Sequence, residues 1–248
     1  MEAWFLSDIH IKTMQERNSD ILLRFLHSLR EKNPQEIHLF LLGDIFDLWV
    51  GGSNIFVKKF QPLVDAIRDL KNAGARITYI EGNHDVHIDS FWKKKLGVEV
   101  FVEAQFYNIN GLEIRVEHGD LINLDDHTYL KYRSFIRRPW VKPLSWIVPG
   151  KFWDEVGNYA ARKSRKRSHV YRVRNEEKLS QMIRAHAERV YSEHPYDVII
   201  SGHMHVYDDY QFHVGDKTAR SINLGSWYGP EVKVLKLSKQ SLEWVQIN

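Results

Sequence analysis

Strand-like and helix-like segments alternate over the first third of the chain, and this order restricts the possible folds more than any other feature. Short apolar runs at 4–7, 37–42 and 76–80 predict buried strands. Between them, apolar side chains recur at helical spacing over 18–31 and 60–70. Because a β-α-β-α-β order favours parallel strands joined by right-handed crossovers, the sequence predicts an α/β fold.

The pattern changes after this region. Asn110-Gly111, a dipeptide typical of a type I′ turn, separates predicted strands at 105–109 and 112–117. A mostly helical stretch follows at 125–193, and the remaining predicted strands lie at 98–102, 198–201, 207–212, 219–224, 231–237 and 242–247. We therefore expect 1–124 and 194–248 to form one layered core, with 125–193 as a helical insertion, a cap or lid, of the same domain.

Composition narrows the class of protein. The 248-residue chain has no cysteine, which excludes a disulfide-stapled module, a cysteine-ligated metal protein and a thiol nucleophile. No apolar run approaches the roughly 18–20 residues of a membrane span, and the first residues lead into a predicted strand rather than a signal peptide. We therefore expect a soluble cytosolic protein.

Positive charge is concentrated in one segment of an otherwise acidic chain. Residues 131–174 hold thirteen Lys or Arg and two acids, a net charge of +11 within a whole-chain charge of +3. The rest of the chain therefore carries −8. Such asymmetry favours an anionic partner such as phosphate, nucleic acid or a membrane surface, although a solvated helix face has the same composition.

Asp, Asn and His side chains follow five predicted strands, and four of the five clusters contain a glycine. The clusters are Asp8-Ile9-His10, Gly43-Asp44-Ile45-Phe46-Asp47, Gly82-Asn83-His84-Asp85, His118-Gly119-Asp120 and Gly202-His203-Met204-His205. In an open α/β sheet, ligands gather at the carboxyl ends of the strands. We therefore expect the clusters to meet at one edge of the fold.

These residue types suit a pair of divalent metal ions. A carboxylate can bridge two ions, and imidazoles with an amide oxygen complete shells that fit Mn²⁺, Fe²⁺ or Zn²⁺ better than Ca²⁺. Neighbouring glycines let the backbone turn sharply and approach the ions. Asp8 and His10 are two residues apart, as are His203 and His205, and alternate residues at the end of a strand face the same side.

Together the five clusters resemble the full motif series of the calcineurin-like metallophosphoesterases, over nearly the whole chain. The resemblance implies a four-layer α/β/β/α sandwich with a dinuclear metal centre that hydrolyses phosphoesters. Asp44 would bridge the two ions. By motif, one ion would be held by Asp8, His10, Asp44 and His205, and the other by Asp44, Asn83, His118 and His203.

The same resemblance implies catalytic roles for three further residues. His84 stands where many members of the family keep a histidine that donates to the phosphate or to the leaving oxygen. Asp47 or Asp85 would orient imidazoles around it. The alternative for either aspartate is to cap a turn.

A narrower resemblance concerns the substrate. The run 43–49, the segment 118–129, the helical insertion and Gly225-Ser226-Trp227 are similar to the UDP-2,3-diacylglucosamine pyrophosphatases of lipid A biosynthesis. The resemblance implies hydrolysis at the α-phosphate to UMP and 2,3-diacylglucosamine 1-phosphate (lipid X), with Mn²⁺ as the usual metal. By position, Asp126 and Tyr129 would bind the glucosamine phosphate.

The insertion suits an acylated nucleotide-sugar substrate. Trp140, Trp146 and Trp153 lie among prolines and are flanked by basic residues. Such a composition fits a peripheral membrane segment or a lid over acyl chains, and it equally fits a cap that packs on the core. We expect contact with the inner face of the cytoplasmic membrane, and substrate binding through Arg162, Lys163, Arg165, Lys166 and Arg167.

Two departures from the lipid A enzymes leave a second interpretation open. His84 occupies a position where those enzymes commonly have Arg, and 162–168 is more basic than their corresponding region of Ser, Asn and Lys. The alternative is a related metallophosphoesterase acting on another phosphodiester, nucleotide or nucleic acid. Nucleic acid is disfavoured because prolines interrupt the tryptophans, unlike a regular stacking platform. A non-catalytic scaffold is disfavoured because all seven metal positions are of ligand type.

Overall fold

The computed structural model describes residues 1–141 and 175–248. Thirteen strands lie in these two ranges: β1 Glu2–Leu6, β2 Ile37–Leu41, β3 Trp49–Val50, β4 Arg76–Ile80, β5 Asp85–Val86, β6 Glu99–Phe101, β7 Gln105–Ile109, β8 Leu112–Val116, β9 Val198–Ser201, β10 Tyr207–Val214, β11 Lys217–Leu224, β12 Val232–Ser238 and β13 Ser241–Ile247.

Helices connect or follow these strands. Within the described ranges they are α1 Arg17–Arg30, α2 Asn54–Lys59, α3 Gln61–Asn72, α4 His127–Ile136 and α5, which is described over 175–193. Of the helices in these two ranges, none combines the length and the apolar character needed to cross a bilayer.

The first sheet has six strands in the order β13-β12-β1-β2-β4-β6. Strands β1, β2, β4 and β6 run parallel, and β12 and β13 add antiparallel strands at one side. Along β1 the side chains alternate between two cores. Trp4 and Leu6 pack with the apolar faces of α1 and α3, whereas Ala3 and Phe5 face the second sheet. The predicted parallel strands are therefore confirmed.

The second sheet has five strands in the order β10-β11-β9-β8-β7. Its β7–β8 hairpin turns at Asn110 and Gly111, which both have positive φ, as the predicted turn requires. The outer face of this sheet is covered by α5, whose Ala187, Val190 and Tyr191 pack against side chains from β9, β10 and β11. The described layers are therefore helices, sheet, sheet and helix, which confirms the α/β/β/α sandwich.

Helix α5 belongs to the predicted insertion 125–193 but lies against the core. Besides its apolar contacts, Arg184 forms a two-pronged ion pair with Asp208 of β10, with a shorter N···O distance of 2.8 Å. Residues 175–193 of the insertion thus form a layer of the sandwich. The division into core and insertion stays a prediction.

Candidate metal centre

The backbone leaves the strands in left-handed turns where the predicted metal ligands lie. Asp8, His10 and Asp44 have φ of 52°, 54° and 54°, and His203 and His205 have φ of 65° and 57°. Strand β1 ends at Leu6, before the first of these residues. The expectation that the pleat of a strand aligns Asp8 with His10 is therefore wrong; left-handed turns turn both side chains inward.

Backbone hydrogen bonds hold these turns together. The amides of Ile9 and His10 both donate to the carbonyl oxygen of Asp44, at 3.0 Å, and the amide of Asp8 donates to that of Gly43, at 3.1 Å. The amide of His203 donates to the Asp8 carboxylate, at 2.8 Å. Loops from three strands in two sheets are thereby joined around one point.

The ligand-type side chains form two groups that share Asp44. In each group the candidate ligand atoms lie within 4.8 Å of one another. The amide oxygen of Asn83 lies beside the second group, 3.3 Å from His118 Nε2. The structure therefore brings together all seven predicted metal positions, with Asp8, His10, Asp44 and His205 in the first group, and Asp44, His118 and His203 with adjacent Asn83 in the second.

The second group has the donor set of a cation site. His118 Nδ1 donates to the carbonyl oxygen of Leu42, at 2.8 Å, so the neutral ring turns a lone pair on Nε2 toward its neighbours. That nitrogen lies 3.7 Å from an Asp44 oxygen and 3.2 Å from His203 Nδ1. When the rings are neutral, their converging lone pairs and the carboxylate favour a positive charge between them, either a proton on His118 or a bound cation. The residues therefore fit a divalent ion.

The first group shows the same crowding. His10 Nε2 lies 3.2 Å from His205 Nε2 and 3.7 Å from an Asp44 oxygen, and His205 Nε2 lies 3.0 Å from an Asp8 oxygen. All four residues come from the ends of β1, β2 and β9. The site therefore offers two adjoining positions for cations.

The pKa shifts of the histidines indicate a strongly negative centre. Burial alone would lower the pKa of His118, but the carboxylates of Asp44 and Asp8 raise it to about 9. Burial and the charge of His118 lower the pKa of neighbouring His203 to about 4. One imidazole takes up the positive charge that the carboxylates demand, and a second close by cannot.

Glycine is required where the loops touch. A Cβ on Gly82 would overlap a carboxylate oxygen of Asp44 and stand 2.6 Å from its amide nitrogen. A Cβ on Gly202 would overlap the Asp8 carboxylate in the same way. These glycines therefore permit the close approach of the metal-binding loops.

Asp85 has a different role from the predicted one. Its two oxygens accept hydrogen bonds from the amides of Asp44, Ile45 and Gly82 and from the hydroxyl of Tyr79. Burial and the Asp44 carboxylate raise its pKa above the usual value. With four donors on two oxygens, Asp85 fixes the backbone around Asp44. The expectation that Asp85 orients an imidazole is wrong, and the turn-capping alternative describes it.

His84 and Asp47 lie beside the first group. The amide of His84 donates to Asp44, at 2.9 Å, and its Nδ1 donates to the carbonyl oxygen of Asp47, at 2.8 Å. The Asp47 carboxylate forms a third close group with His10 and His84. The two residues therefore flank the candidate metal positions.

Asp126 and Tyr129 begin α4. The Asp126 carboxylate accepts the amide of Tyr129, at 2.9 Å, and so caps the helix. The Tyr129 hydroxyl donates to Asp120, at 3.0 Å, and its ring lies 5.6 Å from that of His203. Burial and the Asp120 charge raise the pKa of Tyr129 well above its ordinary value. Tyr129 thus borders the second group, whereas Asp126 is exposed.

Asp120 connects α4 to the centre, a role that sequence reasoning missed although the residue closes the His118-Gly119-Asp120 motif. Its carboxylate accepts Arg133 Nε at 2.7 Å and lies 3.7 Å from Arg137. Arg133 also binds Glu103, and Arg137 also contacts Glu81 and the Gly82 carbonyl oxygen. These two arginines belong to the +11 segment but bind carboxylates of the core, which offset part of their charge.

The predicted substrate contacts Arg162, Lys163, Arg165, Lys166 and Arg167 lie outside the described residues, as do Trp146 and Trp153. Trp140 is described and is 50% exposed.

The fold and the centre define a class of enzyme. A family model for calcineurin-like phosphoesterases matches residues 1–207. The chain therefore belongs to the calcineurin-like phosphoesterase family. It is a metallophosphoesterase, a hydrolase whose family uses divalent metal ions, and its Asp and His clusters could hold them.

Several relatives that share one name match nearly the whole chain. The UDP-2,3-diacylglucosamine hydrolase of Vibrio atlanticus (strain LGP32) is 27% identical and covers 98% of this chain and 96% of its own length. The enzyme of that name from Ectopseudomonas mendocina (strain ymp) is 29% identical and covers 90% of this chain and 88% of its own length. Among solved structures, Vps29 from Entamoeba histolytica complexed with zinc is 15% identical, covers 99% of this chain and 98% of its own, and has a TM-score of 0.43.

Proposed function

We propose that this enzyme hydrolyses UDP-2,3-diacylglucosamine at the α-phosphate, giving UMP and 2,3-diacylglucosamine 1-phosphate. The observation that carries the substrate is the match, over almost the full length, with relatives named UDP-2,3-diacylglucosamine hydrolase. The two adjoining groups around Asp44 supply a site suited to phosphoester chemistry.

Two divalent ions, Mn²⁺ before Fe²⁺ or Zn²⁺, are proposed as the cofactors. Mixed imidazole, carboxylate and amide donors suit these metals. The ions would supply Lewis-acid stabilisation of the charge that develops on the phosphoryl oxygens. The seven residues of the two groups would hold them, with Asp44 shared.

His84 is proposed to donate a proton to the substrate. Because its Nδ1–H is committed to the Asp47 carbonyl oxygen, Nε2 carries a hydrogen only when the ring is protonated. The imidazolium can donate from Nε2 to a phosphoryl oxygen or to the leaving oxygen. The Asp47 carboxylate lies close to the side chains of both His84 and His10.

The acylated sugar is proposed to lie on the α4 side of the centre. Tyr129 stands at the edge of the second group, and its hydroxyl is oriented by Asp120. We assign binding of the glucosamine phosphate to Tyr129 and Asp126. Asp126 also caps the start of α4, so its replacement would affect both substrate binding and the helix.

Contact with the inner face of the cytoplasmic membrane is also proposed. Phe135 and Trp140, each 50% exposed, form an edge-to-face pair with ring centroids 5.3 Å apart. Exposed Lys131 and Arg138 lie on the same part of the chain. Aromatic rings beside basic groups are typical of interfacial segments and would bring the enzyme to an acylated substrate.

A turnover assay with the purified full chain and Mn²⁺ tests the proposal. We expect release of UMP from UDP-2,3-diacylglucosamine, reduced at least about a hundredfold in Asp44→Asn and His118→Ala. His213→Ala, an exposed histidine on β10, is the matched control and should retain activity. An intact lipid substrate together with hydrolysis of simple phosphodiesters would refute the substrate and leave the enzyme class standing.

A further inference from the structure

A tyrosine covers the first metal group from the solvent side. The Tyr228 ring stacks on that of His10, with centroids 5.5 Å apart and an angle of 14° between the planes. It also lies 5.6 Å from the His205 ring. His10 is 4% exposed, whereas Tyr228 is 40% exposed. One face of the tyrosine therefore rests on a candidate metal ligand, and much of the side chain remains accessible.

The loop that carries Tyr228 is firmly held. Trp227 is buried in the core, and its amide donates to the Asp8 carbonyl oxygen, at 3.3 Å. Asn18 Nδ2 donates to the carbonyl oxygen of Trp227, and Arg17 donates to that of Gly229. The aromatic ring is thus fixed in place before any ligand binds, which lowers the entropic cost of binding against it.

One tyrosine lies at each end of the candidate metal centre. Tyr129 borders the second group through His203, and Tyr228 borders the first group through His10 and His205. When a pyrophosphate substrate is cleaved at the centre, between Tyr129 and Tyr228, its sugar-phosphate part lies on one side and its nucleoside part on the other. If Tyr129 meets the sugar phosphate, the nucleoside half extends toward Tyr228.

We propose that Tyr228 is a specificity-determining residue that stacks with the nucleobase of the substrate. The base of a nucleoside monophosphate is joined to its phosphate through a single ribose, so a phosphate at the centre keeps the base nearby. A flat, exposed and preorganised ring suits a planar base. The orientation rests on the proposed function, whereas base stacking beside the centre is measurable without the lipid substrate.

Two probes isolate the base. UMP and ribose 5-phosphate share a sugar and a phosphate, and only UMP has a base. We propose calorimetric titration of each into the full chain with Mn²⁺. A stacked base contributes about 1–3 kcal/mol, so UMP should bind about 5- to 150-fold more tightly than ribose 5-phosphate. In Tyr228→Ala this ratio should fall close to one, and Tyr228→Phe should keep it.

Tyr132→Ala is the matched control, because Tyr132 is another exposed tyrosine, 48% accessible, on α4. It should leave the ratio unchanged. Equal affinities of the two probes for the wild type would overturn the proposal. So would an equal loss of both affinities in Tyr228→Ala, which would mean that the ring only shields the histidines. A retained UMP preference in an enzyme inactive on UDP-2,3-diacylglucosamine would refute the lipid substrate alone.

Discussion

Five non-glycine residues of the candidate centre, Asp8, His10, Asp44, His203 and His205, adopt a left-handed backbone. This conformation costs roughly 1–2 kcal/mol for a residue with a Cβ. Such strain persists where surrounding contacts determine the geometry, and it is concentrated at functional sites. Here the contacts are the hydrogen bonds to the Asp44 carbonyl oxygen and the four that converge on Asp85.

Gly82→Ala tests whether close loop contact supports metal binding. The added Cβ would overlap the Asp44 carboxylate and stand 2.8 Å from an Asp85 oxygen. Mn²⁺ affinity should fall at least about tenfold while the far-UV circular dichroism spectrum is retained. Gly229→Ala, whose Cβ would meet its nearest neighbour at 3.8 Å, is the control. Unchanged affinity in Gly82→Ala would show that the loops can separate without loss.

A buried histidine near the start of β2, His38, should make the stability of the fold sensitive to acid. His38 stacks on Phe40 and bonds to Thr78, and burial with nearby Arg76 lowers its pKa from 6.5 to about 3. Between these values the unfolded chain binds the extra proton, so stability is complete above pH 6.5 and declines as the pH falls toward 3. The slope is at most about 1.4 kcal/mol per pH unit.

The measurement compares urea unfolding of the wild type with that of His38→Gln from pH 7 to pH 5. The variant should lose less stability than the wild type over this interval. Parallel declines in the two proteins would contradict a neutral buried His38.

Residue types correctly predicted which side chains come together at the centre, but not the role of each one. The sequence does not show whether a carboxylate in a motif contacts an imidazole or accepts hydrogen bonds from the backbone. Asp85 was therefore predictable as a member of the site, but its role in fixing the backbone around Asp44 was not. Tyr228 follows the Gly225-Ser226-Trp227 run with no signal of its own. Only the folded loop places it on His10.

At the scale of elements, α4 is fastened to the two loops that carry the second metal group. Arg133 and Arg137 reach Asp120, two residues after His118, and Arg137 also reaches Gly82, next to Asn83. Although burial raises it, the charges of His118 and Arg133 bring the pKa of Asp120 down to about 2. The helix that presents Tyr129 is therefore positioned by ion pairs with the centre itself.

Arg133→Met tests this attachment. Asp120 would lose its shortest ion pair but keep Tyr129 and Arg137, so a destabilisation of about 1–3 kcal/mol is expected by urea unfolding. Arg138→Met removes an exposed arginine just beyond the end of α4 and should change stability by less than about 0.5 kcal/mol. Equal effects of the two substitutions would show that the Asp120 pair contributes nothing.

Element prediction succeeded where periodicity was long enough to detect. Helices α1 and α3 and the long strands follow their apolar patterns within a few residues. The paired strands β3 and β5 have two residues each, and no period can be recognised in two residues. Charge patterning did not predict the ion pairs of Arg133 and Arg137, because a run of basic residues does not reveal which of them face carboxylates.

At the scale of the molecule, the two sheets bring together sites that are distant along the chain. Asp8 and His205 are 197 residues apart in the sequence, yet two of their side-chain atoms lie 3.0 Å apart. The acidic balance outside 131–174 includes carboxylates that concentrate at this centre. The absence of cysteine leaves Asp, Asn and His as its donors.

Metal content measures the central claim most directly. After equilibrium dialysis of the full chain against Mn²⁺, elemental analysis should find two equivalents per chain, because two donor groups adjoin at Asp44. Asp44→Asn should retain at most one, and His213→Ala should retain both. One equivalent or none in the wild type, or two in Asp44→Asn, would contradict a dinuclear centre built around Asp44.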